Sequence, residues 1–191
     1  MKTIKYLSLF LFISIFSCTQ QNTDENDHSQ HQSAETEQTS KSKSPASTAM
    51  ANIGSTHVHI EYHSPRVRNR VIFGGLVAYG EVWVTGAHSA TTINFYNDVF
   101  IGETRIKQGK YALFTIPGEE SWTIILNENY DQHLADDYDS SLDVLRLEVK
   151  PETLQNNQEE LLYEVKQTDE NLGIISISWA TSKITFNVKA L

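Results

Sequence analysis

Hydrophobic and polar residues alternate along much of the chain after residue 90. Trp122, Ile124 and Leu126, for example, are separated by single residues, so their side chains share one face of an extended chain. A period of two residues is typical of β-strands that bury one face. The pattern predicts strands at residues 92–96, 111–116, 122–126, 145–149, 161–165, 175–179 and 184–188.

Turn signals separate these segments. They fall at residues 97–98, 108–109, 117–118, 127–129, 171–173 and 180–182. Helical periodicity is scarce, and only residues 134–142 suggest a helical turn. Short strands at this regular spacing predict an all-β fold, an antiparallel β-sandwich or barrel-like single domain with little helix.

The N-terminal residues follow the order of a bacterial lipoprotein export signal. Lys2 and Lys5 precede an apolar run over residues 6–17, and Cys18 follows it directly. The run is about 12 residues long, whereas a membrane-spanning helix needs about 20, so a cleaved signal fits better than a span. We therefore expect a lipoprotein signal peptide at residues 1–17 and acylation of Cys18. The alternative is an ordinary secretory signal with the cysteine as a chance neighbour.

The segment that follows the cysteine has the composition of a disordered tether. Residues 19–50 contain no Val, Ile, Leu, Phe, Tyr or Trp. Such a segment cannot bury enough apolar surface to offset the conformational entropy that folding removes. The predicted organisation is an acylated cysteine and disordered tether at residues 18–50, followed by a single all-β domain at residues 51–191. Because Cys18 is the only cysteine, the domain depends on burial rather than a disulfide for its stability.

The charge balance of the chain is acidic. There are 24 acidic and 15 basic residues, which gives a formal net charge of −9. Nucleic-acid binding depends on cationic contacts to phosphate, so this balance argues against a nucleic-acid partner. The expected partner is the lipid membrane, reached through acylated Cys18. We expect the protein in the cell envelope, anchored to the outer membrane on its periplasmic or its surface face.

Residues 62–92 depart from the alternating pattern, because they combine four glycines with aromatic residues and three arginines. Guanidinium groups suit carboxylates and phosphates, and aromatic rings stack on sugars or cations. This composition predicts a loop surface that binds a small molecule or another envelope component. The candidate ligand-binding residues are Arg66, Arg68, Arg70, Tyr79, Glu81, Trp83, Thr85 and His88. The alternative is core packing by the aromatic residues and solvation of the arginines.

Several motifs of the domain resemble those of a known family. They include Ser64-Pro65, Ile72-Phe73-Gly74, Tyr79-Gly80, Val82-Trp83, Thr85-Gly86-Ala87, Gly109-Lys110-Tyr111 and Phe114-Thr115-Ile116-Pro117-Gly118. Over nearly the whole domain the chain resembles the bacterial envelope proteins grouped as domain of unknown function 2911. The resemblance implies an exported all-β domain and assigns no activity. The chain departs from the family pattern at His88-Ser89, where members tend to carry Asn-Glu, and at Val84, where Arg is usual.

A metal site is the first alternative to a ligand-binding loop. On a strand, His57, His59 and His63 share one face with Glu61, and imidazole nitrogen is a good ligand for zinc or copper. An extended strand separates the first and last of these histidines by about 20 Å, so one ion needs a third ligand from elsewhere. His88 or His133 could supply it. We expect no cofactor, with zinc or copper as the alternative.

A hydrolase acting on an envelope glycan is the second alternative. It would use His88 with Ser89 or Asp139, or Glu61 with Glu81 as a carboxylate pair. Neighbouring residues of a strand point to opposite faces, so the adjacent His and Ser cannot act together as base and nucleophile. No catalytic residue is assigned on these patterns. We expect a binding or structural module rather than an enzyme.

Overall fold

The computed structural model describes residues 42–191 of the chain. This part contains ten β-strands and one short 3₁₀ turn. The elements are β1 (Ala46–Ile53), β2 (Thr56–His63), β3 (Thr92–Phe95), β4 (Val99–Ile101), β5 (Thr104–Ile106), β6 (Gly109–Ile116), β7 (Trp122–Asn127), the 3₁₀ turn (Ser140–Leu142), β8 (Asp143–Val149), β9 (Glu152–Asp169) and β10 (Leu172–Ala190).

The strands form two antiparallel sheets. The first sheet has the order β1-β2-β3-β6-β7-β8, and the second has the order β5-β4-β10-β9. The sheets do not close into a barrel. The predicted all-β antiparallel fold is therefore confirmed in its sandwich-like form.

The main hydrophobic core lies between the sheets, where the alternating positions of the sequence meet. Ile124 and Leu126 of β7 and Ile177 of β10 belong to it, and each is almost completely buried. Phe114 and Ile125 belong to a second, smaller cluster with Val84, Ala90 and Ala112. Since strand neighbours point to opposite faces, this second cluster lies on the other face of β6 and β7. These two strands are therefore covered on both sides, which explains their nearly continuous apolar sequence.

Residues 64–91, called here the long connection, join β2 to β3 and carry most of the predicted site. The hydroxyl of Ser64 donates to the carbonyl of Leu161 in β9 at 2.7 Å, which ties the start of this segment to the second sheet. Near its middle, the backbone of Trp83 exchanges two hydrogen bonds with Thr115 of β6, at 2.8 and 3.0 Å. The long connection is therefore bonded to both sheets, although it contains no strand of its own among the described elements.

Two details of the predicted organisation are wrong. The boundary predicted between residues 50 and 51 falls inside β1, whose eight residues pair in continuous register with β2 from Ala46 to Ile53. The residues of β1 are mostly small, so hydrophobic and polar positions do not alternate clearly enough to predict a strand there. The turn predicted at residues 180–182 is instead an irregularity within β10, where Ala180 has a φ of 52° and the pairing with β9 shifts register.

Several predictions concern residues before 42. The signal peptide at residues 1–17, the acylated Cys18 and the tether up to residue 41 lie outside the residues that the structure describes. Within residues 42–191 there is no helix of the length and apolar character needed to cross a membrane. The helical turn suggested at residues 134–142 corresponds to the 3₁₀ turn at Ser140–Leu142.

Candidate ligand-binding site

A cleft of about 400 Å³ opens beside the long connection, within the usual size range of small-molecule sites. We call it the arginine cleft. Its charged and aromatic lining residues are Lys43, Arg66, Arg68, Arg70, Trp83, His88 and Trp179. The other six of these residues are each more than 90 positions in sequence from Trp179 on β10, so the cleft forms only when the long connection packs against the second sheet.

The lining of the arginine cleft is positively charged. Four of its side chains are cationic, and no acidic side chain lines it among the described residues. The guanidinium of Arg70 donates to the carbonyl of Val67 at 3.0 Å, and that of Arg68 donates to the carbonyl of Lys43 at 3.1 Å. These acceptors are neutral, so they orient both guanidinium groups without cancelling their charge. Arg66 differs, because it forms an exposed ion pair with Glu160 of β9.

Aromatic side chains form one wall of the arginine cleft. The indole rings of Trp83 and Trp179 are stacked, with centroids 5.6 Å apart and 17° between the ring planes. Phe73 packs edge to face against Trp122 at 4.7 Å and lies 5.9 Å from Trp83. Trp179 is only 2% exposed, so the accessible part of this wall belongs mainly to Trp83, which the buried rings hold in place beside the cationic groups.

Strained backbone is concentrated at the same place. Three residues that line the arginine cleft have positive φ angles although they are not glycines: Arg68 at 50°, His88 at 65° and Leu134 at 50°. Such conformations persist where surrounding contacts enforce them, and they cluster at functional sites. Here the amide of Leu134 donates to the carbonyl of His88 at 2.7 Å. The strained backbone therefore belongs to a fixed wall rather than to a free loop.

Thr85 lies beneath the wall and holds it in place. It is fully buried with a φ of 52°, and its hydroxyl is 2.9 Å from the hydroxyl of Thr115. The phenol of Tyr163 in β9 donates to the Thr85 carbonyl at 2.8 Å. Gly86, next in sequence, leaves no room for a side chain, because a Cβ there would come within 2.6 Å of the Thr91 hydroxyl. This tight packing fixes the position of the residues that precede His88.

The structure brings together most of the predicted ligand-binding residues. Five of the eight line the arginine cleft: Arg66, Arg68, Arg70, Trp83 and His88. Thr85 supports it from below, whereas Tyr79 lines a separate pocket and packs on Gly74. Glu81 is exposed and does not line the arginine cleft.

Two of the charged and aromatic lining residues are not predicted by the sequence. Lys43 fell within the predicted tether, and Trp179 had the alternating pattern of a core residue. The contact between Trp179 and the long connection depends on folding and left no local signal in the sequence.

A second cleft, of about 320 Å³, lies on the other side of His63. We call it the polar cleft. Its polar and aromatic lining includes Ser47, Thr48, Glu61, His63, Ser89, Lys110, Tyr130 and Gln132. Lys110 forms an ion pair with Glu61 at 2.7 Å, and this contact is the main reason that the pKa of Glu61 is lowered. The Lys110 ammonium also lies 5.8 Å from the ring centroid of Tyr130. The lining thus presents donors and acceptors together with an exposed aromatic ring.

His63 and His88 separate the two clefts. Their rings meet edge to face with centroids 5.0 Å apart and an angle of 83° between the planes. His63 lines the polar cleft, and His88 lines the arginine cleft. Burial lowers the pKa of His63, and the neighbouring His88 lowers it further. The imidazole of His63 is therefore biased toward its neutral form, which offers one donor and one acceptor.

The three histidines of β2 share one face of the strand, as the alternation predicts. They divide between two surroundings: the ring of His57 lies 6.2 Å from that of His59 and 5.2 Å from that of Tyr96, whereas His63 contacts His88. Within residues 42–191, no three His, Cys, Asp or Glu side chains converge in a way that could hold a metal ion.

The residues considered for hydrolysis are also spread apart. Asp139 caps the 3₁₀ turn by accepting from the amide of Ser141 at 2.8 Å, and it lines neither cleft. Glu61 is paired with Lys110. His88 and Ser89 line different clefts, as expected for neighbours that point to opposite sides. None of the three proposed pairs shares a cleft.

Comparison with known proteins identifies a family. A family model described as protein of unknown function (DUF2911) matches residues 44–188. Among curated proteins and among solved structures, nothing matches the chain significantly. The matched residues include both clefts almost completely.

Proposed function

Since the chain belongs to the DUF2911 family of proteins of unknown function, we propose its role from the site itself: the domain is a binding module that takes a small anionic ligand in the arginine cleft. The observation that carries the proposal is the charge of the lining. The side chains of Lys43, Arg68 and Arg70 line the cleft and form no ion pair among the described residues, in a chain whose net charge is −9. The nearest acidic contact is that of Glu159, whose carboxylate accepts from the backbone amide of Arg68 at 3.0 Å. A cluster of one sign in a concave site raises the local concentration of ions of the opposite sign.

The chemistry of the lining narrows the ligand class. Guanidinium groups bind carboxylates and phosphates through paired hydrogen bonds, which suits them to an anionic group rather than to a neutral one. The partly exposed ring of Trp83, backed by the buried Trp179, suits an apolar surface such as one face of a sugar ring. The expected ligand is therefore a small carboxylate or phosphate that also carries a ring.

The proposed place of action follows from the N-terminal sequence. We propose that Cys18 is acylated and anchors the domain to the outer membrane.

Calorimetric titration of the purified chain tests the proposal with two matched pairs of probes, D-galacturonate with D-galactose and glucose 1-phosphate with glucose. We expect the anionic member of each pair to bind and the neutral member to bind at least about tenfold more weakly. Arg68→Ala and Arg70→Ala should each weaken anion binding by about tenfold. Arg105→Ala is the control, because Arg105 is paired with Asp98 away from the cleft. If the cleft variants Arg68→Ala and Arg70→Ala bind the anions as tightly as the control variant Arg105→Ala does, the proposal is overturned.

A further inference from the structure

The two clefts adjoin along three separate contacts. The rings of His63 and His88 touch, and His88 and Ser89 are consecutive residues that line different clefts. Residues 44–46 also lie between the two clefts, because Ser44 lines the arginine cleft and Ala46 lines the polar cleft. Consecutive Cα atoms are only about 3.8 Å apart, so the wall between the clefts is about one residue thick.

The polar cleft has a different chemistry from its neighbour. Glu61 and Lys110 compensate each other at 2.7 Å, the hydroxyl groups of Ser47 and Ser89 are uncharged, and Asp131 adds one carboxylate. The lining therefore presents mixed donors and acceptors with one excess negative charge, which suits a neutral, hydroxyl-bearing group and disfavours a second anion. Tyr130 adds an aromatic ring that is 43% exposed, enough to contact a ligand. Aromatic rings beside mixed polar groups suit a ligand that carries hydroxyl groups on an apolar ring, as sugars do.

Together, these observations on both clefts define the class of ligand more narrowly than the arginine cleft does alone. We infer that the two clefts form one extended site, and that its ligand is an anionic saccharide of at least two linked units. The carboxylate or phosphate lies against the arginines, and a hydroxyl-bearing sugar unit occupies the polar cleft. This inference rests on the proposed function, since it places the anionic group in the arginine cleft.

The wall between the clefts suits a linked ligand. The His63 and His88 rings form a narrow partition rather than a thick barrier, and the clefts have similar volumes of about 400 and 320 Å³. The neutral imidazole of His63 can donate one hydrogen bond and accept another, so this ring can contact a glycosidic oxygen or a ring hydroxyl without adding charge. Two units of similar size joined by one linkage match this arrangement better than a single large group.

Calorimetric titration of the full chain with saccharides of increasing length tests the inference. The carboxylate series is D-glucuronate and cellobiouronate, in which a neutral glucose unit is joined to the uronate, and the phosphate series is glucose 1-phosphate and maltose 1-phosphate, with maltose as the neutral control. We expect the two-unit member of at least one anionic series to bind about tenfold more tightly than its one-unit member. The series that shows the gain identifies the anionic group. Equal affinity of one-unit and two-unit anions in both series would overturn the extended site.

Variants of the polar cleft locate the second unit. Tyr130→Ala should reduce the ratio of two-unit to one-unit affinity to about one, because the aromatic contact for the second sugar is lost. Tyr96→Ala is the matched control, since Tyr96 is 54% exposed and lines neither cleft. A ratio that persists in Tyr130→Ala would contradict the assignment to the polar cleft.

The two proposals fail in different ways. Suppose that the one-unit anions bind, that Arg68→Ala lowers their affinity, and that the two-unit anions bind no more tightly than the one-unit anions. In that case only the extended site is wrong. If neither one-unit nor two-unit anions bind the unaltered chain, or if Arg68→Ala changes nothing, the proposed function itself is wrong. Thermal unfolding of each variant shows whether a loss of binding reflects a loss of folding.

Discussion

Trp83 and Trp179 stack with their ring centroids 5.6 Å apart, although one lies in the long connection and the other in β10. This contact joins the segment that carries the arginines to the second sheet. The same segment is bonded to the first sheet through the backbone of Thr115. The arginine cleft is therefore held between two sheets before any ligand arrives, which lowers the ordering cost of binding.

The stacked pair predicts a stability effect. Trp83→Ala should lower the free energy of unfolding by about 2–4 kcal/mol, because it removes a large, partly buried ring and leaves a cavity against Trp179. Trp83→Phe keeps a ring in place and should cost less. Urea denaturation of both variants measures the difference. Equal stability of the alanine variant and the unaltered chain would show that the stack does not fix the long connection.

Tryptophan fluorescence should report ligand binding. The chain has three tryptophans, and two of them line the arginine cleft. D-Galacturonate should therefore change the emission of the unaltered chain, because a charged group enters beside two indole rings. Trp122→Phe should keep most of this change, whereas Trp83→Phe should lose most of it. The opposite ranking of the two variants would place the anion elsewhere.

A buried carboxylate fixes the connection between β7 and β8, which contributes Tyr130 and Leu134 to the clefts. Asp143 has a side chain that is 5% exposed, and it accepts from the Asn127 amide at 2.8 Å and from the Tyr138 hydroxyl at 2.6 Å. Burial and the bond to this carboxylate raise the pKa of Tyr138 to about 12.

Removal of that carboxylate should destabilise the domain. Asp143→Ala removes the acceptor of the Tyr138 hydroxyl, one of the two acceptors of the Asn127 amide and the ion-pair partner of Arg146, which should cost about 2–3 kcal/mol in denaturant unfolding. The ultraviolet titration of Tyr138 should also move to lower pH, because the carboxylate no longer opposes ionisation. Asp139→Ala is the control, since that exposed residue only caps the 3₁₀ turn. A loss no larger than that of the control would contradict the role of Asp143.

Acidification should weaken the fold through His63. Burial and His88 hold the pKa of His63 below its ordinary value of 6.5, so the unfolded chain takes up a proton before the folded one does. The contribution of His63 to the free energy of unfolding is therefore constant above pH 6.5. It becomes destabilising as the pH falls through 6.5 toward the lower pKa of the folded state. In urea unfolding between about pH 8 and pH 5, His63→Gln should lose less stability than the unaltered chain. Parallel profiles for the two proteins would contradict this assignment.

The sequence predicts most of the fold because strand alternation is a local property. Ile124 and Leu126 mark β7 without any knowledge of the rest of the chain. β1 was missed because its small residues, such as Ala49, take part in pairing without a strong hydrophobic pattern. A strand of this kind is specified by its partner rather than by its own composition.

The site was less accessible to sequence reasoning. The spacing of Arg66, Arg68 and Arg70 was visible, and all three line the cleft. Trp179 was recognised only as a core residue, because its contact with Trp83 joins residues almost 100 positions apart. The sequence also predicts Tyr79 and Glu81 as ligand-binding residues, because they lie in the same segment as the arginines. In the structure, the turns of the long connection place both side chains outside the arginine cleft.

The central claim is that an anion binds beside the arginines, and two-dimensional NMR of the isotope-labelled chain tests it most directly. On titration with D-galacturonate, the largest amide shifts should fall at residues 66–70 and 83–88, with little change at the turn between β4 and β5. D-Galactose should leave the spectrum unchanged at the same concentrations. Shifts confined to residues outside the arginine cleft, or equal shifts with both sugars, would contradict the account.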